Sequence, residues 1–296
     1  MLPHTVTLFC LSCLAGAPLA AQPPQIGGGT CSSSSLNGTY AFTLTGRQVA
    51  ASGSFSNVVQ ANGSAAFDGL SKVTLTITAN TLQSLGSPLT YAGTYSVQAN
   101  CAGTIDLSSG DIATLNLAIY NQGKGFAVTG TDSTYAYTGS GSTQPTGCST
   151  SMLTGVYAFN ATGYTFSSGS VNGVADSTGL LQFDGQGNVI LNLTSSSTAV
   201  GTITAPGTYS LSTSCLGTAT VTDSSGKSTG LTFSVTAAKA ADFDLLLAQA
   251  SKFMLSGSAH AIFGQITTSA EAPRPAHDRS LETAGRAVRA QHGGRA

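Results

Sequence analysis

Few side chains in this sequence can do chemistry, and they are scattered. Between Cys31 and Gly264 there is one histidine, His260, no glutamate, and four cysteines: Cys31, Cys101, Cys148 and Cys215. Nucleophilic, acid–base or metal chemistry needs several titratable groups brought together. No His-x-x-x-His pair or Cys/His cluster occurs, so no zinc site is expected. Gly226-Lys227-Ser228-Thr229-Gly230 fits the pattern of a nucleophile elbow. An elbow needs a strand-to-helix turn, and this stretch falls in a predicted hairpin. The same stretch ends like a phosphate-binding loop, but Val221 stands where that loop needs its first glycine. Asp184-Gly-Gln-Gly-Asn188 has the look of a calcium loop without the further carboxylates a calcium shell wants, so it reads as a hairpin turn. Asn37, Asn62, Asn160 and Asn192 begin Asn-x-Ser/Thr sequons, but about three such matches are expected by chance in a chain this rich in Ser and Thr. The residues therefore predict no catalytic side chain, no metal ligand and no cofactor.

An internal repeat organises the chain. Cys31-Ser-Ser-Ser-Ser-Leu36-Asn-Gly38-Thr-Tyr40-Ala-Phe42 matches Cys148-Ser-Thr-Ser-Met-Leu153-Thr-Gly155-Val-Tyr157-Ala-Phe159 without a gap. Phe67-Asp68-Gly69 matches Phe183-Asp184-Gly185. Gly93-Thr-Tyr95 followed by Cys101-Ala-Gly103-Thr104 matches Gly207-Thr-Tyr209 followed by Cys215-Leu-Gly217-Thr218. A period this long is a duplicated domain, since solenoid units are shorter. His260 falls opposite Ser142, so the copies do not share a histidine there. Four cysteines in an exported chain predict two disulfides. A duplicated domain most simply keeps its bond inside each copy, which gives Cys31–Cys101 and Cys148–Cys215. The alternatives, Cys31–Cys148 or Cys101–Cys215, would need equivalent positions of two different domains to face each other.

Alternating apolar residues set the fold. In the first copy Tyr40, Phe42 and Leu44 share a face, as do Val73, Leu75 and Ile77, and Leu115, Leu117 and Ile119; the second copy repeats the pattern. Hydroxyl residues fill many alternate positions, as in an antiparallel sheet with one wet face. Turns are predicted at Asp68-Gly69, Asp184-Gly185, Ser108-Ser109-Gly110 and Ser224-Ser225-Gly226. With no room for crossover helices, each copy reads as an antiparallel up-and-down β-barrel of about eight strands, or alternatively a β-sandwich. The expected organisation is a signal peptide over 1–21, a linker over 22–30, a first barrel over 31–141, a linker over 142–147, a second barrel over 148–267 and a disordered tail over 268–296. The repeated motifs resemble those of uncharacterised exported bacterial proteins, over Cys31 to Gly264. That resemblance implies structural motifs and brings no activity. In architecture the copies are similar to lipocalin-type and allene-oxide-cyclase-type barrels, which bears on fold alone.

Val6 to Leu14 is apolar and of signal-peptide length, and Ala15 to Ala21 is rich in small residues, so cleavage is expected near Ala20 or Ala21 and a secreted or periplasmic location follows. Net charge is −1 and charged residues are 8% of the chain, which argues against a nucleic-acid partner. Five of eleven basic residues lie in the tail beyond Thr267, mixed with Glu271 and Glu282. The leading functional expectation is a non-enzymatic exported protein acting by surface or envelope interactions. The alternatives are a carrier of a small apolar ligand inside each barrel, and a barrel isomerase or cyclase. Tyr40/Tyr157, Phe42/Phe159 and Tyr95/Tyr209 decide between the first two: they line a cavity in a carrier and fill the core otherwise. No partner is named by the residues.

Overall fold

The computed structural model describes residues 30–49, 55–81, 84–108, 114–131 and 135–262. The expected signal peptide, most of the first linker, the Ser109-Gly110 turn and the expected tail lie outside the described residues. In the first copy the strands are β1 (Asn37–Val49), β2 (Phe55–Asp68), β3 (Lys72–Thr81), β4 (Ser84–Leu85), β5 (Leu89–Val97), β6 (Ala102–Leu107), β7 (Thr114–Tyr120), β8 (Gly125–Thr131) and β9 (Tyr135–Thr143). In the second they are β10 (Thr154–Ser167), β11 (Ser170–Asp184), β12 (Asn188–Ser195), β13 (Thr202–Leu211), β14 (Leu216–Thr222), β15 (Ser228–Val235), β16 (Asp242–Gln249) and β17 (Phe253–Ala261).

Both copies are closed barrels. Successive strands pair antiparallel, and β1 also pairs with β9, as β10 does with β17. The two-residue β4 pairs only with the end of β3 and takes no part in closure, leaving eight strands around the first barrel. Continuous pairing excludes the sandwich and removes the exposed edges that an open sheet would present. The registers repeat, with Asn37 opposite Asp68 in one copy and Thr154 opposite Asp184 in the other. β9 runs on through Ser142 and Thr143, residues that the sequence placed in the connection. They read as linker because the strand is so poor in bulk. Its inner face has to be small: a Cβ on Gly141 would lie 2.4 Å from the Phe126 ring.

Each repeated motif has a physical task. In Phe-Asp-Gly, Phe67 sits at the centre of the core, within 5.4 Å of Tyr40, 4.9 Å of Tyr95 and 5.9 Å of Phe126 between ring centroids. Phe183 holds the same place among Tyr157, Tyr209, Phe233 and Phe243. Such edge-to-face contacts add about 0.5–1.5 kcal/mol each beyond the area they bury. Asp68 accepts the backbone N–H groups of Leu70, Ser71 and Lys72, and Gly69 takes φ +76°, which a side chain would resist. Leu36 and Leu153, both fully buried, cork one end of each barrel. The Tyr95 hydroxyl fastens that cork, lying 2.9 Å from the Ser33 carbonyl and 3.0 Å from the Leu36 carbonyl. Tyr209 does the same with Thr150 and Leu153. Burial pushes the Tyr209 phenol up to about 12, so it remains a donor.

The disulfides close the same end. Cys31 is bonded to Cys101 and Cys148 to Cys215, both inside a copy as the repeat predicts. Cys101 and Cys215 sit in tight turns at φ 66° and 61°. Each bond ties the entering chain to the β5–β6 or β13–β14 turn, across sequence separations of 70 and 67. Closing loops of that length restricts the unfolded chain by about 4 kcal/mol on the chain-entropy account. Replacing Cys215 by Ser together with Cys148 by Ser should therefore lower the urea midpoint of the second barrel, by up to about 4 kcal/mol of stability. An unchanged midpoint would show that the bond adds nothing to the corked rim.

Candidate functional site

The barrel interiors are occupied by side chains. Tyr40, Phe42, Tyr95, Tyr157, Phe159 and Tyr209 all belong to the buried cores. The space left among Phe42, Leu44, Ala65, Leu75, Ile105, Leu115, Phe126 and Val128 is about 10 Å³. That is at or below what a single water needs, and its lining is entirely apolar. Eight strands give a barrel just wide enough for side chains to fill, and these sequences fill it.

The motifs that could mimic binding loops are turns. Asp184 accepts from the backbone N–H groups of Gln186 and Asn188 and from the Asn188 side chain, which holds its carboxyl below the usual range. Its oxygens serve the hairpin, and no cluster of three metal-ligating side chains occurs among the described residues. Gly226-Lys227-Ser228 closes the β14–β15 hairpin. Asp223 accepts there from Ser225 and Lys227, and Gly226 takes φ +80°.

His260 is on the outer wall of the second barrel. Its Nδ1 lies 2.8 Å from Asp242 Oδ1, across the β16–β17 ladder, and its Nε2 lies 3.5 Å from Ser258 Oγ. The order Ser–His–Asp is that of an acyl-transfer relay. The surroundings are not. Ser258 and His260 are paired with β10 on one side and β16 on the other, His260 in the last pair of the β16–β17 ladder, so the backbone there is engaged in strand pairing on both sides and presents no built oxyanion site. The His260 and Asp242 side chains are 65% and 44% exposed, where an ion pair contributes little. In the first barrel Ser142 and Gly125 occupy the equivalent paired positions.

The outer face with structure of its own is where the barrels meet. One wet face is the expectation for such a sheet, yet on β2 the outward residues Val58, Gln60 and Asn62 are buried. Val58 packs with Phe166 and Met254 of the second barrel. Gln60 Nε2 donates to Ser256 Oγ at 3.0 Å, Thr232 Oγ1 donates to Asn62 Oδ1 at 3.0 Å, and Ser234 Oγ donates to the Gly63 carbonyl at 3.3 Å. Arg47 Nε donates to the Tyr164 hydroxyl at 3.1 Å. The connection joins in: Gln144 is buried and its Nε2 donates to the Cys215 carbonyl. The equivalent positions on β11 stay open, so that Val174 is 71% exposed where Val58 is 2% exposed.

Beside this contact runs a cleft of about 420 Å³. Thr76, Thr78 and Pro88 line it from the first barrel, and Ser210, Thr218 and Thr232 from the second. Asn62 also lines it, and its Nδ2 has no hydrogen-bond partner among the described residues. The sequence marked Asn62 only as a sequon. The one available signal was its departure from the repeat, where Thr178 stands at the same register.

Near the contact, the outer face of β16 carries Asp244, opposite Ser234 on β15 and Ser258 on β17. Burial raises its carboxyl to about 6, opposed by nearby His260. The unfolded value lies near 3.8, so the shift costs stability above pH 6 and the cost vanishes below pH 4. Asp244→Asn should therefore stabilise the protein at pH 8 by about 2 kcal/mol, with the gain shrinking steadily as pH falls from 6 to 4. Thermal melts across that range measure it; a gain independent of pH would reject the buried carboxylate as its source.

No protein-family model matches the chain, and no curated protein matches it significantly. Among solved structures, the chain overlaps isotype 1 transferrin binding protein B from serogroup B Neisseria meningitidis at 8% identity and TM-score 0.26, covering 76% of this chain and 77% of that one. It overlaps a protein of unknown function of the DUF3598 family from Nostoc punctiforme at 9% identity and TM-score 0.24, covering 77% of this chain and 97% of that one. Similarity at this level transfers neither ligand nor partner.

Proposed function

We propose that this protein is exported through its first 21 residues and works outside the cytoplasm, without catalysis, as a binding protein that uses its outer surfaces. The observation that carries the reading is the filled interior: a void of about 10 Å³ in the first barrel holds no ligand. A carrier of a small apolar molecule would need a cavity many times larger. The two disulfides support an oxidising compartment. Against catalysis stand the pairing of Ser258 and His260 with strands on both sides and the Asp68, Asp184 and Asp223 carboxylates, each engaged by its own turn. What remains for function is the outside of the pair, including the cleft where the barrels meet.

The test uses exported, mature protein. N-terminal sequencing should begin near Ala21 or Gln22. Titration with a fluorescent fatty acid should give no saturable signal. Stoichiometric uptake of one fatty acid per barrel would overturn the surface reading in favour of the carrier, and an intact Met1 on a cytoplasmic product would overturn export.

A further inference from the structure

The geometry points to the inter-barrel cleft as a binding site for a neutral, hydroxyl-rich ligand, that is, a short uncharged saccharide; the inference rests on the outer-surface reading above and names the ligand class. Three observations carry it. The first is a donor without a partner. Asn62 is 2% exposed and lines the cleft; its Oδ1 is engaged by Thr232 while its Nδ2 is unpaired among the described residues. A buried amide N–H left unsatisfied is costly, and a rotation of the side chain that brings it to an acceptor oxygen held in the cleft would remove that cost.

The second is the lining. Thr76, Thr78, Ser210, Thr218 and Thr232 present hydroxyls, which both donate and accept. Ser210 Oγ and Thr218 Oγ1 are 3.2 Å apart across the β13–β14 ladder, a pair that offers a combined donor and acceptor to a sugar hydroxyl. Pro88, Leu211 and Leu216 supply apolar surface beside them. A saccharide alternates hydroxyl edges with C–H faces and satisfies both kinds of wall. A wholly apolar ligand would strand the hydroxyls and Asn62.

The third is charge. None of the described residues lining the cleft is charged. A phosphate, carboxylate or ammonium ligand would enter with no countercharge among these residues to offset its desolvation. The cleft exists only because two barrels are docked. The first barrel has the same cross-strand hydroxyl pair, Ser96 and Thr104, but no second barrel beside it. Duplication has therefore built a site that one copy lacks.

The experiment is a heteronuclear NMR titration of the mature full-length chain with maltotetraose, cellotetraose and chitotetraose at millimolar concentration. At least one should give saturable shifts confined to amides around Thr76, Thr78, Ser210 and Thr218. Thr218 is exposed, so Thr218→Trp should block the cleft while leaving the buried contacts intact, and should weaken binding at least about tenfold. Asn62→Leu should do the same by removing the unpaired donor; if it disturbs barrel docking, Thr218→Trp still decides. Absence of binding by all three sugars, or binding that survives Thr218→Trp, overturns the inference. Either result leaves the fatty-acid titration to judge the surface reading separately.

Discussion

An eight-stranded barrel has a fixed internal width, and what fills it decides what the protein can do. Here the filling is an aromatic cluster built around Phe67 in one copy and Phe183 in the other. Tyr95 and Tyr209 serve twice, packing against those rings and holding the cork at the barrel end through their hydroxyls. The disulfides then pin the chain that carries the cork. The interior is thus packed and one end is closed.

The outside is asymmetric although the sequence is a repeat. Both barrels keep the same inner aromatic anchors, Tyr40/Tyr157, Phe42/Phe159, Phe67/Phe183 and Tyr95/Tyr209, and the other inner positions stay apolar while changing size, as Leu117/Phe233 and Ala65/Leu181 do. Outer residues are free to diverge, and they did. β2 became an inter-barrel face through Val58, Gln60 and Asn62, while β11 kept Val174, Asp176 and Thr178 open to solvent. On the opposing wall Leu246 and Met254 are buried, and in the first barrel Thr129 and Ala136 stand at the corresponding positions, both exposed. The contact is therefore heterologous: the face used on one copy is not the face used on the other. It mixes a small apolar cluster with hydrogen bonds between side chains, and it leaves Gln60 Oε1 and Asn62 Nδ2 unpaired among the described residues.

The architecture was legible in the sequence because the repeat multiplies every signal. Leu-x-Gly-x-Tyr-x-Phe, Phe-Asp-Gly and the paired cysteines each occur twice, so strand alternation, turns and disulfide partners could be read from agreement between copies. The closed barrel followed from short hairpins and the absence of helices. The end of β9 was not legible, since a strand of small residues facing Leu44 and Phe126 looks like a linker. The docking of the barrels was not legible either. Alternation separates inner from outer residues and is silent on which outer face another domain will cover. The same holds for His260: its pairing with Asp242 depends on cross-strand register, which places Asp242 opposite it from 18 residues away.

Function on the outside of a packed pair of barrels is the central claim, and xenon is its most direct probe. Diffraction from crystals of the exported protein pressurised with xenon reports any apolar void large enough to hold an atom. The filled-core account predicts no xenon inside either barrel, and a new site in Phe67→Ala at the place of the lost ring. Well-occupied xenon inside an unmodified barrel would contradict it and return the interior to consideration as a ligand cavity.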